Sequence, residues 1–187
     1  MTPSTPRFAW TRLLCVLVLT SSPLTAQAAE SVKTQARAYA PFVGRWEGAL
    51  EYQDYGGSGR VKVPVKLEVK LKDGAKDGAV ASWNFVYDDF GKTVTSLETH
   101  SLVGKTYKVV TVGQKEVQTY TCNNFAALFS SGKGVAVLLG SELENGKTVQ
   151  VRRTVTLSAK TLTTLKETRP VGGTYAFRNQ STYTRVR

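Results

Sequence analysis

Residues 60–72 read RVKVPVKLEVKLK, and the alternation never slips. Val61, Val63, Val65, Leu67, Val69 and Leu71 fall on one side, and Arg60, Lys62, Pro64, Lys66, Glu68, Lys70 and Lys72 on the other. Successive side chains of a strand point to opposite faces, so this run specifies a strand with one buried and one wet face. Pro64 has no N–H to give a ladder, which predicts a bend, a bulge or an edge at that point. A chain that carries one such face needs others to cover it.

The same parity recurs downstream. Trp46, Leu50 and Tyr52 align, as do Trp83, Phe85 and Tyr87 in ASWNFVYDDF, and Val149, Val151, Val155 and Leu157. Tyr175, Phe177 and Tyr183 extend the series towards the C-terminus. Turn residues separate these runs, among them Asp73-Gly74, Gly56-Gly57 and Asn145-Gly146; the last fits a two-residue hairpin with positive φ at both positions. About nine or ten strands joined by tight turns predict an antiparallel meander. The fold class is therefore all-β, a single up-and-down barrel of about 8–10 strands, which hides the apolar face and removes exposed edges. A two-sheet β-sandwich is the alternative, because alternation alone does not separate the two.

Two segments depart from the strand pattern. SVKTQARAYAPFVG, before the first strand, predicts one or two helical turns ended by Pro41 and plugging one barrel end. NNFAALFSSGKG predicts a short helix capped by Asn124, with Phe125, Leu128 and Phe129 on one side. It is either a lid over the mouth or a buried crossover.

Residues 1–28 are set apart from the fold. Arg7 and Arg12, the apolar run Leu13–Leu19 and the exit Ala26-Gln27-Ala28 are the three parts of a secretory leader. The run is shorter than the roughly 20 residues a transmembrane helix needs. Cleavage after Ala28 leaves one domain, 29–187, destined for the periplasm or secretion, with no transmembrane segment. That domain keeps one cysteine, Cys122, so packing and strand pairing replace a disulfide.

The whole chain carries a net charge of +11 at pH 7. Without Arg7 and Arg12 it carries +9, which favours anionic partners such as an envelope surface. Lys62, Lys66 and Lys70 form a basic stripe, but no aromatic residues interleave with it, so a stacking platform for nucleic acid is missing.

Gly44, Trp46 and Gly48 in GRWEG resemble the opening of calycin barrels, the lipocalin and fatty-acid-binding superfamily. The resemblance implies that Trp46 lies at the closed end under an arginine of the last strand. In RNQSTYTRVR that arginine is Arg185, giving a structural clasp rather than a functional site. From WEGALEYQDY through WNFVYDD to KETRP and FRNQSTYTR, the chain also looks like a group of exported bacterial proteins without assigned activity. That resemblance implies a lipocalin-like barrel and carries no catalytic residues. Tyr183-Thr184-Arg185 reverses the Arg-x-Tyr order that fatty-acid-binding proteins use for a carboxylate.

Arg153 is the most informative charge. It is in phase with Val149, Val151, Val155 and Leu157, so it points into the barrel, where a guanidinium needs a partner and suits a carboxylate or phosphate. A bulge at Arg152-Arg153 that turns the side chain outward is the plainer alternative. Trp83, Phe85, Tyr87, Tyr107, Tyr120, Tyr175 and Phe177 are candidate cavity walls, a mix of apolar area and phenolic handles. They serve equally as core filling a small barrel.

His100, the one histidine, shares a strand face with Glu98. The pair suits proton transfer or a metal or haem site, with Cys122 as a nucleophile if the fold brings it close. Glu142 and Glu144 share another face, the arrangement a glycosidase pair would need. No HExxH, paired cysteines or GxSxG accompany any of these, so no metal, cofactor or catalytic residue is assigned. The expected function is non-covalent binding of a small apolar or amphipathic, anionic-tolerant ligand by a monomeric barrel. The alternatives are an envelope interaction protein with a packed interior and a small-molecule enzyme built on His100.

Overall fold

A computed structural model describes residues 37–54, 56–57, 59–72 and 79–187. The leader assigned to 1–28 and the Asp73-Gly74 turn lie outside the described residues. Ten strands follow in order: β1 (Gly44–Gln53), β2 (Arg60–Leu71), β3 (Ala79–Asp89), β4 (Lys92–Val103), β5 (Thr106–Thr111), β6 (Val117–Thr121), β7 (Gly134–Glu144), β8 (Lys147–Leu157), β9 (Thr161–Pro170) and β10 (Ala176–Arg185). Each pairs antiparallel with its sequence neighbours, and β10 pairs with β1 to close a barrel. This is the lipocalin-like up-and-down architecture, with one short helix, α1 (Phe125–Leu128), and a 3₁₀ turn at Ala40–Phe42. No helix among the described residues is long and apolar enough to cross a membrane.

The alternation of β2 is realised in the barrel wall. Val63, Val65, Leu67 and Val69 are buried, while Arg60, Lys62, Pro64, Lys66 and Lys70 are exposed. Pro64 neither bends β2 away from β1 nor shifts its register, since Ala49↔Pro64 sits within an unbroken ladder. Its effect falls on the other side. Pairing of β2 with β3 starts only at Val65↔Tyr87, one residue beyond the missing N–H. Asn145 and Gly146 both take positive φ, 50° and 75°, in the β7–β8 hairpin.

One barrel end is closed by aromatic packing. Tyr39 and Phe42, in and beside the 3₁₀ turn, are fully buried against Phe125 and Phe129 of α1 and its C-terminal flank. Pro41 sits within the turn rather than ending a helix. Asn124 takes a left-handed φ of 58° and its side chain makes no cap bond; Leu128 is exposed while Phe125 and Phe129 are buried. A single helical turn held by two buried rings is part of the plug.

The clasp ties this plug to the closing seam. Trp46 and Arg185 are register partners across β1 and β10, with the guanidinium 4.0 Å from the indole ring. Arg185 Nη1 and Nη2 donate to the carbonyls of Val43 and Pro41, each at 2.6 Å, and Trp46 Nε1 donates to the Phe42 carbonyl at 2.9 Å. Gly44, at φ +129°, leaves room for Arg185: a Cβ there would lie 3.0 Å from Nη1. Gly48 faces the β10 backbone. A Cβ there would lie 1.9 Å from the Thr182 carbonyl oxygen, so it lets the β10 backbone approach.

Arg185→Ala removes a stacked cation and two charge-assisted bonds to backbone, so it should lower unfolding free energy by about 2–3 kcal/mol. Urea denaturation measures this. Arg185→Lys should recover less than half, because an ammonium cannot both stack and fork; full recovery by lysine would show that the charge alone matters.

Candidate functional site

The sequence phase breaks once, on β10. The ladder with β9 reads Phe177↔Glu167 and then Asn179↔Lys166, so one extra residue is inserted around Arg178. A bulge of one residue sends every side chain beyond it to the opposite face. Asn179, Ser181 and Tyr183 therefore face the interior, whereas Tyr175 and Phe177 lie outside, contrary to the unbroken parity. Tyr175 is stacked by Arg152 and Arg169 on the outer wall, and Phe177 lies under Arg60, 3.8 Å from its guanidinium carbon.

Above the plug the barrel is hollow, with a cavity of about 160 Å³. One wall comes from β3: Trp83, Phe85 and Tyr87, whose alternate positions stack ring on ring (Phe85–Tyr87 centroids 5.9 Å apart). The opposite wall, five strands round the barrel, is polar and comes from β8, β9 and β10: Arg153, Thr164, Lys166, Asn179 and Ser181. Tyr107 and His100 also line the space. Tyr120 is buried beside it, with Arg153 5.5 Å from its ring centre. There is no bulge at Arg152-Arg153: Arg152 faces outward and is forked by Glu167, and Arg153 faces inward.

Arg153 and Lys166 are directly opposed in the β8–β9 ladder, and Asn179 follows in the same row. Like charges facing each other across a strand pair are destabilising. Lys166 is compensated by an ion pair with Glu142, which also accepts a 2.6 Å hydrogen bond from the Tyr120 hydroxyl. Among the described residues Arg153 has no carboxylate within ion-pair distance and no side-chain hydrogen bond. Burial opposes its charge; Tyr120, Glu98 and Glu142 at longer range more than offset this, so its pKa is raised. The cavity thus contains a cation whose one close partner is the Tyr120 ring face, with no ion-pair or hydrogen-bond partner among the described residues.

His100 is spoken for on both nitrogens. Nε2 donates to Glu98 at 2.8 Å, which makes Nδ1 the acceptor of the Tyr107 hydroxyl at 2.6 Å, and Trp83 stacks on the ring at 4.5 Å. Burial depresses the imidazole pKa, and Glu98 only partly restores it, so the ring is neutral at pH 7. Burial would raise the Glu98 carboxyl, but the bond and charge of His100 together with Arg153 hold it lower. Cys122 is not part of this chain of bonds: its sulfur contacts the Asn123 carbonyl, and burial pushes the thiol up to about 11. No cluster among the described residues could hold a metal ion. Glu142 and Glu144 do not form an acid–base pair either, each being bound to a cation, Lys166 and Arg178.

Lys166, Asn179, Thr164 and Ser181 were not evident as site residues from apolar periodicity, since they are polar positions on inward faces. Lys166 and Thr164 do share parity with Leu162, and Ser181 with Tyr183, both fully or nearly fully buried. The Trp83 indole N–H, also buried at the cavity wall, has no hydrogen-bond partner among the described residues.

No family model matches this sequence, and no curated protein does. Among solved structures the fold is similar to the S-type phycobiliprotein lyase CPES from Guillardia theta, with a TM-score of 0.56 and 11% sequence identity. The alignment covers 83% of this chain and 97% of that one. At that identity the likeness is one of fold.

His100 makes a specific prediction possible because it is the one histidine. Its folded pKa lies below the unfolded value of about 6.5, so between the two the unfolded chain binds the extra proton. Stability should therefore be full above about pH 6.5 and fall as pH drops towards the folded pKa. His100→Gln should flatten the urea midpoint between pH 7.5 and 5.5. A wild-type midpoint that is flat over this range would contradict the burial of a neutral imidazole.

Proposed function

We propose that the barrel binds, without covalent chemistry, a compact anion carrying a single ring or a short branched apolar body. Arg153 takes the carboxylate or equivalent oxyanion, with Asn179 and Ser181 as neutral partners, and the β3 aromatics take the body. The observation that carries this reading is the inward Arg153, opposed by Lys166 in a cavity and, among the described residues, lacking an ion-pair or hydrogen-bond partner. A ligand anion would supply the missing counter-charge, and a guanidinium binds carboxylate through two parallel bonds.

Size narrows the ligand class. Pockets for drug-sized ligands are about 300–1,000 Å³, whereas cavities of about 150 Å³ hold a single benzene ring. The 160 Å³ here suits the second scale and disfavours a long-chain fatty acid. It also supports a carrier or sensor over a barrel filled with its own side chains. The similar lyase acts on phycobiliproteins by its name; a cavity for one ring gives no support for carrying that activity across. The leader-like residues 1–28 support a setting in the periplasm or outside the cell.

Benzoate is a suitable probe, with benzyl alcohol as the uncharged analogue. In amide and indole NMR titrations benzoate should shift Trp83 and the neighbours of Arg153, and Arg153→Gln should weaken binding at least about tenfold. Benzyl alcohol should bind weakly and equally to both proteins. Equal benzoate affinity in wild type and Arg153→Gln would sink the reading, as would no shift at all at millimolar benzoate.

A further inference from the structure

The cavity has a wall with a break in it. β2 continues from Val65 back to Arg60, and β3 continues from Tyr87 on to Asp89, but these extensions are not paired with each other. Pro64 is the first residue of β2 not paired with β3 and has no N–H with which to continue that ladder. Over this break, on the outer surface, lies a groove of about 460 Å³ whose lining includes Pro64, Val65, Lys66, Tyr87, Asp88 and Thr93. Tyr87, half-buried, is the one residue that lines both this groove and the inner cavity.

Elsewhere the described residues narrow the ends of the interior, while the rim beside Tyr87 is open, its β4 register partner Val94 being 38% exposed. The plug fills one end with Tyr39, Phe42, Phe125 and Phe129. At the opposite end ion pairs strap β7 to β9 (Glu142–Lys166) and to β10 (Glu144–Arg178, 3.0 Å). The β6–β7 seam has only two register pairs, but the backbones there are in contact: a Cβ at Gly140 would lie 2.6 Å from the Thr119 carbonyl oxygen and 2.8 Å from the Tyr120 ring.

We infer that the ligand passes sideways through the wall between β2 and β3, with the Tyr87 ring as the gate and the outer groove as its antechamber. The inference rests on the ligand-binding reading for its purpose, but the route itself is a property of the barrel. A gate here needs only a rotation of one side chain, because no ladder hydrogen bonds cross the break. The groove lines Glu47 and Asp88 against Lys66 as its charged groups. Two carboxylates to one ammonium do not retain an anion, which suits a passage and not a second storage site.

The Trp83 indole N–H reports on the route without any ligand, because it is buried at the cavity wall and unpartnered. Trp46, whose indole N–H is bonded in the clasp, is the internal control. In hydrogen-exchange NMR, Tyr87→Ala should speed exchange at Trp83 about tenfold or more and leave Trp46 unchanged. Tyr87→Trp should slow it, and Glu144→Gln, which loosens the strapped mouth, should leave it at the wild-type rate. An unchanged Trp83 in Tyr87→Ala would overturn the gate. So would faster exchange in Glu144→Gln, or parallel acceleration of Trp46 in Tyr87→Ala, which would mean general loosening. A protein that bound no benzoate would remove the binding reading, yet the indole rates would still decide the route.

Discussion

Everything in this barrel depends on closure of the β1–β10 seam. Ten strands with one apolar face have nowhere to hide that face unless first and last meet, and closure turns it into a single interior. The Trp46–Arg185 pair sits at one end of that seam and does two things at once. It stacks across the closing ladder, and through the carbonyls of Pro41 and Val43 it holds the segment that plugs the barrel. Gly44 and Gly48 make both contacts sterically possible. With that end fixed and filled, the remaining interior is left free for polar side chains that a packed core could not tolerate.

Those polar side chains divide into a settled group and an unsettled one. Glu98, His100 and Tyr107 satisfy one another in a line, as do Tyr120, Glu142 and Lys166. Buried groups satisfied in this way stiffen a structure more than they react. Arg153 stands between the two groups, feels the carboxylates of both, and among the described residues forms an ion pair with neither. The charge of the site without an ion-pair partner among the described residues is thus one guanidinium facing a small space, opposite three aromatic rings. The proposed anion would supply the missing counter-charge, and the mutually bonded Glu98–His100–Tyr107 line provides a firm floor.

The fold was legible because period two is a strong code. RVKVPVKLEVKLK, the β3 aromatics and the Asn145-Gly146 hairpin each predict their own element, and they agree with one another. The inward pointing of Arg153 followed from the same phase. The errors have local causes. Tyr175 and Phe177 were assigned inward because a one-residue bulge at Arg178 leaves no mark in composition, yet it reverses parity for all residues before it. Pro64 announced a defect but not which ladder would bear it, since that depends on which neighbour its nitrogen faces. Lys166, Asn179 and Ser181 were passed over because hydrophobic periodicity says nothing about polar residues on a buried face. Asn124, which reads as a cap, instead supplies the left-handed turn that drives Phe125 into the plug.

The central claim is that the interior holds a ring-sized space with an anion-seeking arginine on its wall. A crystal structure with 4-bromobenzoate, read by bromine anomalous scattering, tests it most directly. The account predicts a bromine peak among Trp83, Phe85 and Tyr87, with the carboxylate in fork contact with Arg153. An interior with no bromine, filled by side chains and with Arg153 paired to Glu98 or Glu142, would contradict it.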